Sequence, residues 1–299
     1  MCSMNHFNFH STAEDVTDGL DLTGQTFVVT GSNSGLGKES IRVLAMRGAS
    51  IIACARTIAK AQDTMKELGI NGVPIACDLA NLDSVTSAVE AIRALDTPIQ
   101  CIIANAGIMA LPTLHQVHGY EVQFFTNHVG HFHFVTGLVD SLTDNGRVVI
   151  LSSRAHAYAR KHGMELDNLS GEDDYNDWRM YGRSKLANIL FAKSLNTRFE
   201  GSNRRANSVH PGVIKTNLGR HVLDREGMYE QIQRTIPLKS IPEGTSTQLL
   251  VATHPLLEGV GGHYFSDCQI AKTIPQGEDG ALAEELWHVT EAIIEDILA

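Results

Sequence analysis

The chain has 299 residues, a formal net charge of −10, 43% hydrophobic and 19% charged residues. This is the composition of an ordinary globular protein, long enough for one large domain or two small ones. The acidic balance argues against a nucleic-acid partner, which needs a basic face to neutralise phosphates. No apolar run approaches the roughly 18 residues that span a bilayer, and residues 1–21 lack the pattern of a signal peptide. We therefore expect a flexible lead-in over 1–21 and no membrane anchor.

The five cysteines show no CxxC or other close pairing. Cys54, Cys77 and Cys101 each lie in an apolar run that is typical of a buried strand, where a free thiol acts as a small hydrophobic group. Unpaired, buried thiols favour a reducing environment, and we expect a cytoplasmic protein.

Short β-branched runs alternate with longer amphipathic stretches along the chain. The pattern predicts strands over 26–31, 50–55, 72–78, 99–107, 146–153, 204–212 and 261–267. It predicts helices over 36–47, 57–68, 81–95, 117–142, 181–199 and 279–298. Apolar strands separated by helical spacers indicate a parallel sheet covered on both faces, and right-handed crossovers make such a sheet doubly wound.

We therefore expect an α/β protein with one Rossmann-type domain over residues 22–299, about seven strands and helices on both faces. Segments 154–180 and 213–242 do not fit the alternation. Both follow the carboxyl ends of predicted strands, where ligands bind in such sheets. We expect these two segments to shape a substrate site.

A glycine-rich stretch, TGSNSGLGK at 30–38, joins the first predicted strand to the first helix. Gly31, Gly35 and Gly37 allow a tight turn and a close backbone approach to a pyrophosphate, and the helix start offers free N–H groups. The spacing GxxxGxG differs from the commoner GxGxxG, so an ordinary turn stays open as an alternative.

The end of the second predicted strand bears on the choice of dinucleotide. NAD-binding sheets usually place an acidic residue there, whereas this chain has Ala55 followed by Arg56. A guanidinium suits a 2′-phosphate, and Lys38 could add a second positive charge. The sequence favours NADP(H) over NAD(H), with a merely solvated Arg56 as the alternative.

The motif YGRSK at 181–185 is expected to open the long helix that follows the fifth strand. Tyr181 and Lys185 are four residues apart and share one helix face. A phenol has an ordinary pKa near 10, and a neighbouring ammonium lowers it toward a value useful for proton transfer. Ser152 and Ser153 end the fifth strand, where a hydroxyl could hold a substrate oxygen.

Three histidines occur within six positions of FFTNHVGHFHF at 124–134. His128 and His131 are three apart and could share a helix face, but a metal site needs about four convergent ligands. No HExxH pattern or carboxylate group accompanies them. We expect no metal and interpret His128, His131 and His133 as structural.

Several of these motifs together resemble the short-chain dehydrogenase/reductase family, from about residue 22 to the C-terminus. TGSNSGLG resembles its cofactor loop, CDL at 77–79 its adenine-side motif, ANAG at 104–107 its NNAG turn, YGRSK its YxxxK motif, and HPGVIKTN at 210–217 its PG motif. Further stretches, including NHVGHF and SSRAH, most resemble the retinol dehydrogenase and WW-domain oxidoreductase branch, whose membrane-bound members carry an apolar N-terminal anchor. We expect no such anchor here.

The resemblance implies a catalytic set of Asn127, Ser153, Tyr181 and Lys185. Asn127 would lie at a helix kink, and its free carbonyl would hold a water that links Lys185 to solvent. Besides Tyr181 and Lys185, the residues implied to bind the cofactor are Gly31, Ser32, Asn33, Ser34, Gly35, Leu36, Gly37, Arg56, Asp78, Leu79, Asn105, Ala106, Gly107, Pro211, Gly212, Val213 and Thr216. The family also often forms homodimers or homotetramers through the helix that carries Tyr181.

The implied reaction is hydride transfer between nicotinamide and a carbonyl or alcohol carbon. An apolar set favours a lipophilic aldehyde or ketone as the small-molecule substrate: Met180, Leu218, Val222, Leu223, Met228, Tyr229 and Ile232. Three alternatives stay open: an NAD-dependent alcohol dehydrogenase of the same family, a non-enzymatic nucleotide sensor, and a sugar-nucleotide epimerase or dehydratase of the same superfamily.

Overall fold

The computed structural model describes residues 6–214 and 237–299. An eight-stranded sheet forms the centre of the fold. Its strands are β1 Thr26–Thr30, β2 Ser50–Ala55, β3 Gly72–Ala76, β4 Ile99–Ala104, β7 Leu142–Leu151, β8 Arg205–His210, β11 Tyr264–Ser266 and β12 Gln269–Ala271. Their order in the sheet is β3-β2-β1-β4-β7-β8-β11-β12, parallel throughout except for the antiparallel pair β11–β12. The predicted doubly wound α/β fold is confirmed, with β12 as an eighth strand that the sequence did not reveal.

Two small sheets lie outside the main one. The antiparallel pair comprises β5 Gln116–Val117 and β6 Tyr120–Glu121. The parallel pair comprises β9 Val213–Ile214 and β10 Leu238–Lys239.

The helices of the described ranges are α1 Ala13–Val16, α2 Gly35–Met46, α3 Ile58–Leu68, α4 Leu82–Arg93, α5 Val122–Phe124, α6 Gly130–Thr136, α7 Asp177–Arg198, α8 Ile241–Thr253 and α9 Gly280–Leu298. A π-helix, Phe125–Val129, joins α5 to α6. Short 3-10 helices occupy Val139–Ser141, Arg154–Ala159, Leu166–Asn168, Pro255–Leu257 and Pro275–Glu278. Within these ranges, none of the helices combines the length and the apolar character needed to cross a membrane.

Alternating side chains of the central strands fill two apolar cores, one on each face of the sheet. On β1, Val28 contributes to the core beneath α4, α6, α7 and α9. Its neighbours Phe27 and Val29 contribute to the core beneath α2, α3 and α8. Burial on both faces explains why the strands are continuously apolar.

The predicted helix over 117–142 is wrong at both ends. The hairpin of β5 and β6 occupies its first residues, and Leu142 already belongs to β7. The hairpin turns at His118 and Gly119, which both have positive φ angles of 51° and 81°. A helix cannot continue through two left-handed residues.

The helix that carries Tyr181 also differs from its prediction. α7 begins at Asp177, four residues before Tyr181, because the Asn176 side chain accepts a hydrogen bond from the Arg179 N–H and caps the helix. The motif YGRSK therefore lies in the second turn and does not open the helix.

The lead-in was predicted to be flexible, and its described part packs against the rest of the domain. Phe7, Ala13 and Val16 are buried in the core shared with α8. α1 starts with a capping box between Thr12 and Asp15. The Gln269 side chain, on β12, donates a 2.9 Å hydrogen bond to the Phe7 carbonyl. A one-turn helix is too short to leave a recognisable period in the sequence.

Candidate active site

The carboxyl ends of the parallel strands bring most of the predicted site residues to one edge of the sheet. The loops involved follow β1, β2, β3, β4, β7 and β8. They carry, in that order, Gly31 to Gly37, Arg56, Asp78 and Leu79, Asn105 to Gly107, Ser153, and Pro211 to Val213. Thr216 lies outside the described residues.

The glycine loop after β1 is packed so closely that side chains larger than hydrogen would clash. A Cβ on Gly37 would lie 2.3 Å from the Gly31 carbonyl oxygen, and one on Gly31 would lie 2.9 Å from the Ala106 Cα. Gly31 and Gly35 both have positive φ, 65° and 51°. The glycines thus pack against each other and against the turn after β4, in the kind of tight turn that a pyrophosphate-binding loop uses.

The start of α2 adds donors to this loop. Its N-cap, Ser34, makes no side-chain capping bond within the described chain, whereas α3, α4, α7, α8 and α9 all have one. The first N–H groups of α2 are therefore available to an anion. Asn33 and Leu36 are half-buried beside them. These features fit a dinucleotide phosphate.

Ser32 has a different role in the loop from its neighbours. Its backbone N–H and its hydroxyl both donate to the Cys54 carbonyl of β2, at 3.1 and 3.0 Å. The side chain is fully buried. Ser32 therefore fixes the loop to the sheet.

The cations predicted to select NADP(H) are differently placed. Arg56 directly follows β2 and is exposed. Lys38 forms a 2.6 Å ion pair with Glu67 of α3, so its charge is already partly neutralised. Arg56 is therefore the better placed of the two to meet a 2′-phosphate.

Two further cofactor candidates lie in the loop after β3. The Asp78 carboxylate accepts a 3.1 Å hydrogen bond from the Ala80 N–H, which holds the loop in a turn. Leu79 is buried, and its carbonyl faces Gly130 of α6, where a Cβ would come within 2.2 Å. Gly130 is a residue that sequence reasoning missed, and only glycine fits there.

Tyr181 and Lys185 lie one turn apart in α7 and are both almost fully buried. The Lys185 Nζ donates a 3.0 Å hydrogen bond to the Leu151 carbonyl at the end of β7 and lies 5.6 Å from the centre of the Tyr181 ring. Tyr181 is hydrogen-bonded to the Ser153 hydroxyl. The Ser152 hydroxyl instead donates to the Lys185 carbonyl at 2.7 Å, which gives it a structural role.

Burial dominates the electrostatics of this pair. It raises the pKa of Tyr181 to about 12, opposed by the hydrogen bond to Ser153, and it lowers the pKa of Lys185 to about 7. The lowering of the tyrosine pKa expected from the sequence is therefore not seen in the protein alone. Lys185 is itself desolvated, so it does not act as a full neighbouring cation at neutral pH.

Asn127 lies in the π-helix, at the point where the resemblance implies a kink. Its side-chain oxygen accepts from the Ile108 N–H at 2.8 Å, and its Nδ2 donates to the Ile108 carbonyl and the Ser184 hydroxyl at 2.9 and 3.0 Å. A Cβ on Gly107 would lie 3.0 Å from this amide oxygen and 3.6 Å from the Lys185 Nζ. The structure thus brings Asn127, Lys185 and the turn after β4 together.

The three histidines of this stretch each face a threonine in a different element. The Nε2 atoms of His128, His131 and His133 lie 2.9, 2.8 and 2.8 Å from hydroxyls of α9, β1 and α4, respectively. The hydroxyls belong to Thr290, Thr30 and Thr86. The rings diverge, and the described ranges contain no group of three potential metal ligands.

Two histidines hold the turn that carries Ser153. His156 Nδ1 donates to the Ser153 carbonyl at 2.7 Å, and its Nε2 accepts from the Ile274 N–H at 3.3 Å. His210 Nδ1 accepts from the Arg154 N–H at 3.2 Å. Both rings make these bonds in the neutral form, which burial favours by lowering their pKa values.

The apolar lining predicted for the substrate does not follow from the described residues. Met180 is fully buried in the protein interior. The other six, Leu218, Val222, Leu223, Met228, Tyr229 and Ile232, lie outside the described residues. Aromatic rings instead approach Tyr181: Trp178 lies 6.2 Å from its ring, and the exposed Tyr158 lies 5.7 Å from Trp178.

Comparison with known proteins gives consistent results. The sequence profile of the short chain dehydrogenase family matches residues 25–165. The chain is 39% identical to short-chain dehydrogenase TIC 32 B, chloroplastic, of Brassica napus over 96% of this chain and 94% of that protein. It is 34% identical to retinol dehydrogenase 14 of Homo sapiens (91% and 87%) and 33% identical to the human WW domain-containing oxidoreductase (96% and 72%).

Solved structures agree with these sequence relatives. A putative uncharacterized protein from Mycobacterium paratuberculosis superposes with a TM-score of 0.74 at 28% identity, over 94% of this chain and 97% of that one. A short chain dehydrogenase from Burkholderia cenocepacia in complex with NADP has a TM-score of 0.66 at 20% identity, over 82% and 96%. The latter likeness establishes the fold alone.

Proposed function

The chain belongs to the short-chain dehydrogenase family of nicotinamide-dependent oxidoreductases, and we propose that it is an NADP(H)-dependent reductase of a lipophilic aldehyde or ketone. The observation that carries this proposal is the hydrogen bond between the buried Tyr181 and the half-buried Ser153 at the carboxyl edge of the sheet. The pair lies beside a loop whose geometry fits a dinucleotide phosphate.

In the proposed reduction, Tyr181 donates a proton to the carbonyl oxygen of the substrate. A pKa of about 12 keeps the phenol protonated at neutral pH, which suits a proton donor. The Ser153 hydroxyl accepts the Ala155 N–H at 3.1 Å, and its own proton, directed at Tyr181 in the protein alone, would turn to the developing oxyanion when substrate binds. The bound nicotinamide would supply the hydride.

Lys185 and Asn127 would return a proton to Tyr181 after Tyr181 has given its own proton to the substrate. We propose that Lys185 binds the nicotinamide ribose and passes a proton to Tyr181, and that a water on the Asn127 carbonyl connects Lys185 to solvent. The position of Gly107 supports this, because a Cβ there would meet both the side chain of Asn127 and the Lys185 Nζ, which places the two residues next to each other. A lysine whose pKa is about 7 can both give and take a proton near neutral pH.

The remaining cofactor contacts are proposed from the position of the loops at the sheet edge. The glycine loop would hold the pyrophosphate and Arg56 the 2′-phosphate. Asp78 and Leu79 would face the adenine, and the turn Asn105–Gly107 and the Pro211–Val213 segment would face the nicotinamide half. Thr216 remains part of this proposal as a sequence prediction.

A lipophilic substrate is supported by Trp178 and Tyr158, whose rings lead outward from Tyr181. We propose a reducing compartment, the cytoplasm, as its location. The support is that Cys54, Cys77, Cys101 and Cys268 are all buried and unpaired.

Replacement of Tyr181 by Phe tests the proposal. We expect turnover to fall at least about 100-fold, the lower range for a lost general acid, while NADPH affinity measured by fluorescence stays unchanged. Tyr120→Phe, in β6, is the matched control and should leave both quantities unchanged. Equal turnover of Tyr181→Phe and the wild type would contradict the assigned proton donor, and an absence of turnover in both would favour a nucleotide sensor.

A further inference from the structure

A chain of hydrogen bonds joins the cofactor loop to the carbonyl of Asn127 through His131. The Thr30 hydroxyl oxygen, at the end of β1, accepts the backbone N–H groups of Asn105 and Ala106 at 2.9 and 3.0 Å. It also lies 2.8 Å from His131 Nε2. The other ring nitrogen, His131 Nδ1, lies 3.0 Å from the Asn127 carbonyl oxygen.

The donors in this chain are fixed by elimination. A hydroxyl accepts two hydrogen bonds and donates one, and both acceptor positions of Thr30 are used by backbone N–H groups. Thr30 must therefore donate to His131 Nε2, which is an acceptor. A neutral imidazole then carries its proton on Nδ1 and donates it to the Asn127 carbonyl.

The surroundings keep the ring neutral. His131 has no exposed surface, and burial lowers its pKa to about 4, with the nearby Lys185 charge acting in the same direction. At neutral pH the ring therefore has one donor and one acceptor, and both are used. The orientation of the ring is determined by Thr30 on one side and Asn127 on the other.

The position of His131 in the helix explains why the ring reaches this carbonyl. In a regular α-helix the carbonyl of residue 127 accepts the backbone N–H of residue 131. The π-helix Phe125–Val129 widens the turn, and the side chain of the same residue, His131, donates to the carbonyl. The ring thus occupies one of the two lone pairs of this carbonyl.

We propose that His131 is a positioning residue: it fixes the direction of the Asn127 carbonyl and couples it to the cofactor loop through Thr30. The inference rests on the proposed function, because the carbonyl matters for turnover only if it holds the water of the proton relay. A ring that merely filled space would need neither nitrogen.

Two amide substitutions separate the two ends of the chain. His131→Asn can retain a donor near the Nδ1 position, toward Asn127, and loses the acceptor for Thr30. His131→Gln reaches the Nε2 position, keeps a partner for Thr30 and loses the donor to Asn127. Both variants place an amide at the same buried site, so each is the matched control of the other.

We expect the two variants to lose different properties, kcat in one and NADPH affinity in the other. For His131→Gln we expect kcat to fall about tenfold or more with NADPH affinity retained, since a misdirected relay group slows turnover without removing a cofactor contact. For His131→Asn we expect kcat within about threefold of the wild type and weaker NADPH binding, because the Thr30 hydroxyl, which holds the turn after β4, loses the acceptor that orients it. Equal losses in both variants, in step with their melting temperatures, would show a packing role and overturn the proposal, as would unchanged kinetics in both.

A measurement without turnover separates this inference from the proposed function. Nitrogen-15 NMR of histidine-labelled protein distinguishes the two neutral tautomers, with His131→Gln identifying the signal. We expect the Nδ1–H tautomer for His131 at pH 7. The Nε2–H tautomer or a protonated ring would overturn the proposal even in an active enzyme. The Nδ1–H tautomer in a protein without turnover would contradict only the proposed reaction and would leave the hydrogen bonds assigned to His131 intact.

Discussion

At the scale of single residues, Lys185 and Tyr181 are both held in a site that disfavours charge. The pKa of Lys185 is about 7 in the folded protein, against an ordinary value of 10.5. Between these pH values the unfolded chain binds the proton that the folded protein has lost. Wyman linkage then requires that the contribution of Lys185 to stability becomes more favourable as the pH rises from 7 to 10.

A comparison with Lys185→Met measures this effect. We expect the stability of the cofactor-free wild type, relative to the variant, to increase between pH 7 and pH 10, because all other titrations cancel in the difference. Urea unfolding at several pH values provides the two free energies. A difference that does not change with pH would show that Lys185 titrates with its ordinary pKa and would contradict the burial argument.

Single residues also show where sequence reasoning succeeds and where it stops. The spacing of Tyr181 and Lys185 is local, so their common helix face could be predicted. The hydrogen bond between Thr30 and His131 joins residues 101 positions apart, and no local sequence pattern predicts it. His131 was accordingly interpreted as a packing residue, and its two hydrogen bonds became visible only in the structure.

At the scale of elements, the C-terminal helix α9 was predicted from its apolar period, and the structure shows what that apolar face contacts. Trp287 packs against Phe132 of α6 and Phe191 of α7 at ring distances of 4.6 and 5.8 Å. The Arg198 guanidinium lies 3.6 Å from its ring centre and pairs with Glu284. α9 therefore holds the helix that carries Tyr181.

Loss of this contact should destabilise the whole domain. We expect Trp287→Ala to lower the free energy of unfolding by about 3–5 kcal/mol, the range for large aromatic side chains in cores. Leu298→Ala, at the exposed end of the same helix, is the control and should change it by less than about 0.5 kcal/mol. Denaturant titration measures both, and similar losses for the two variants would contradict the assigned packing.

Element ends were predicted less well than element types. The helix α7 was predicted to start at Tyr181, four residues after its true start at Asp177. The sequence does contain the capping residue, Asn176, that sets this start. The hairpin at 116–121 replaced predicted helix because its turn uses positive φ at His118 and Gly119. These endings depend on single backbone conformations, which the apolar period does not encode.

At the scale of the whole molecule, the part of α7 around Tyr181 presents no exposed face in the described structure. Every residue from Arg179 to Ala192 is buried within the single chain, which covers all sides of this part of the helix. The sequence alone allowed a homodimer or homotetramer through this helix. The helix α9 and the 3-10 helix Arg154–Ala159 pack against α7. A partner subunit could contact this part of α7 only if these two helices moved away.

We therefore expect no association through this part of α7, so that cross-links in any oligomer found by sedimentation equilibrium lie elsewhere on the chain. A stable dimer whose cross-links include Lys193, at the edge of the buried part of α7, would contradict this expectation. Deletion of 280–298 should instead expose Phe132 and Phe191 and cause association, which light scattering would detect.

The measurement that tests the central proposal most directly is the oxidation of NADPH, followed at 340 nm with short, aromatic, long-chain, retinoid and steroid carbonyls, with NADH in parallel. We expect turnover with NADPH well above that with NADH, a preference for lipophilic carbonyls, and loss of the NADPH preference in Arg56→Ala but not in Lys38→Ala. Equal or greater turnover with NADH would contradict the role of Arg56, and no turnover with either cofactor would contradict carbonyl reduction itself.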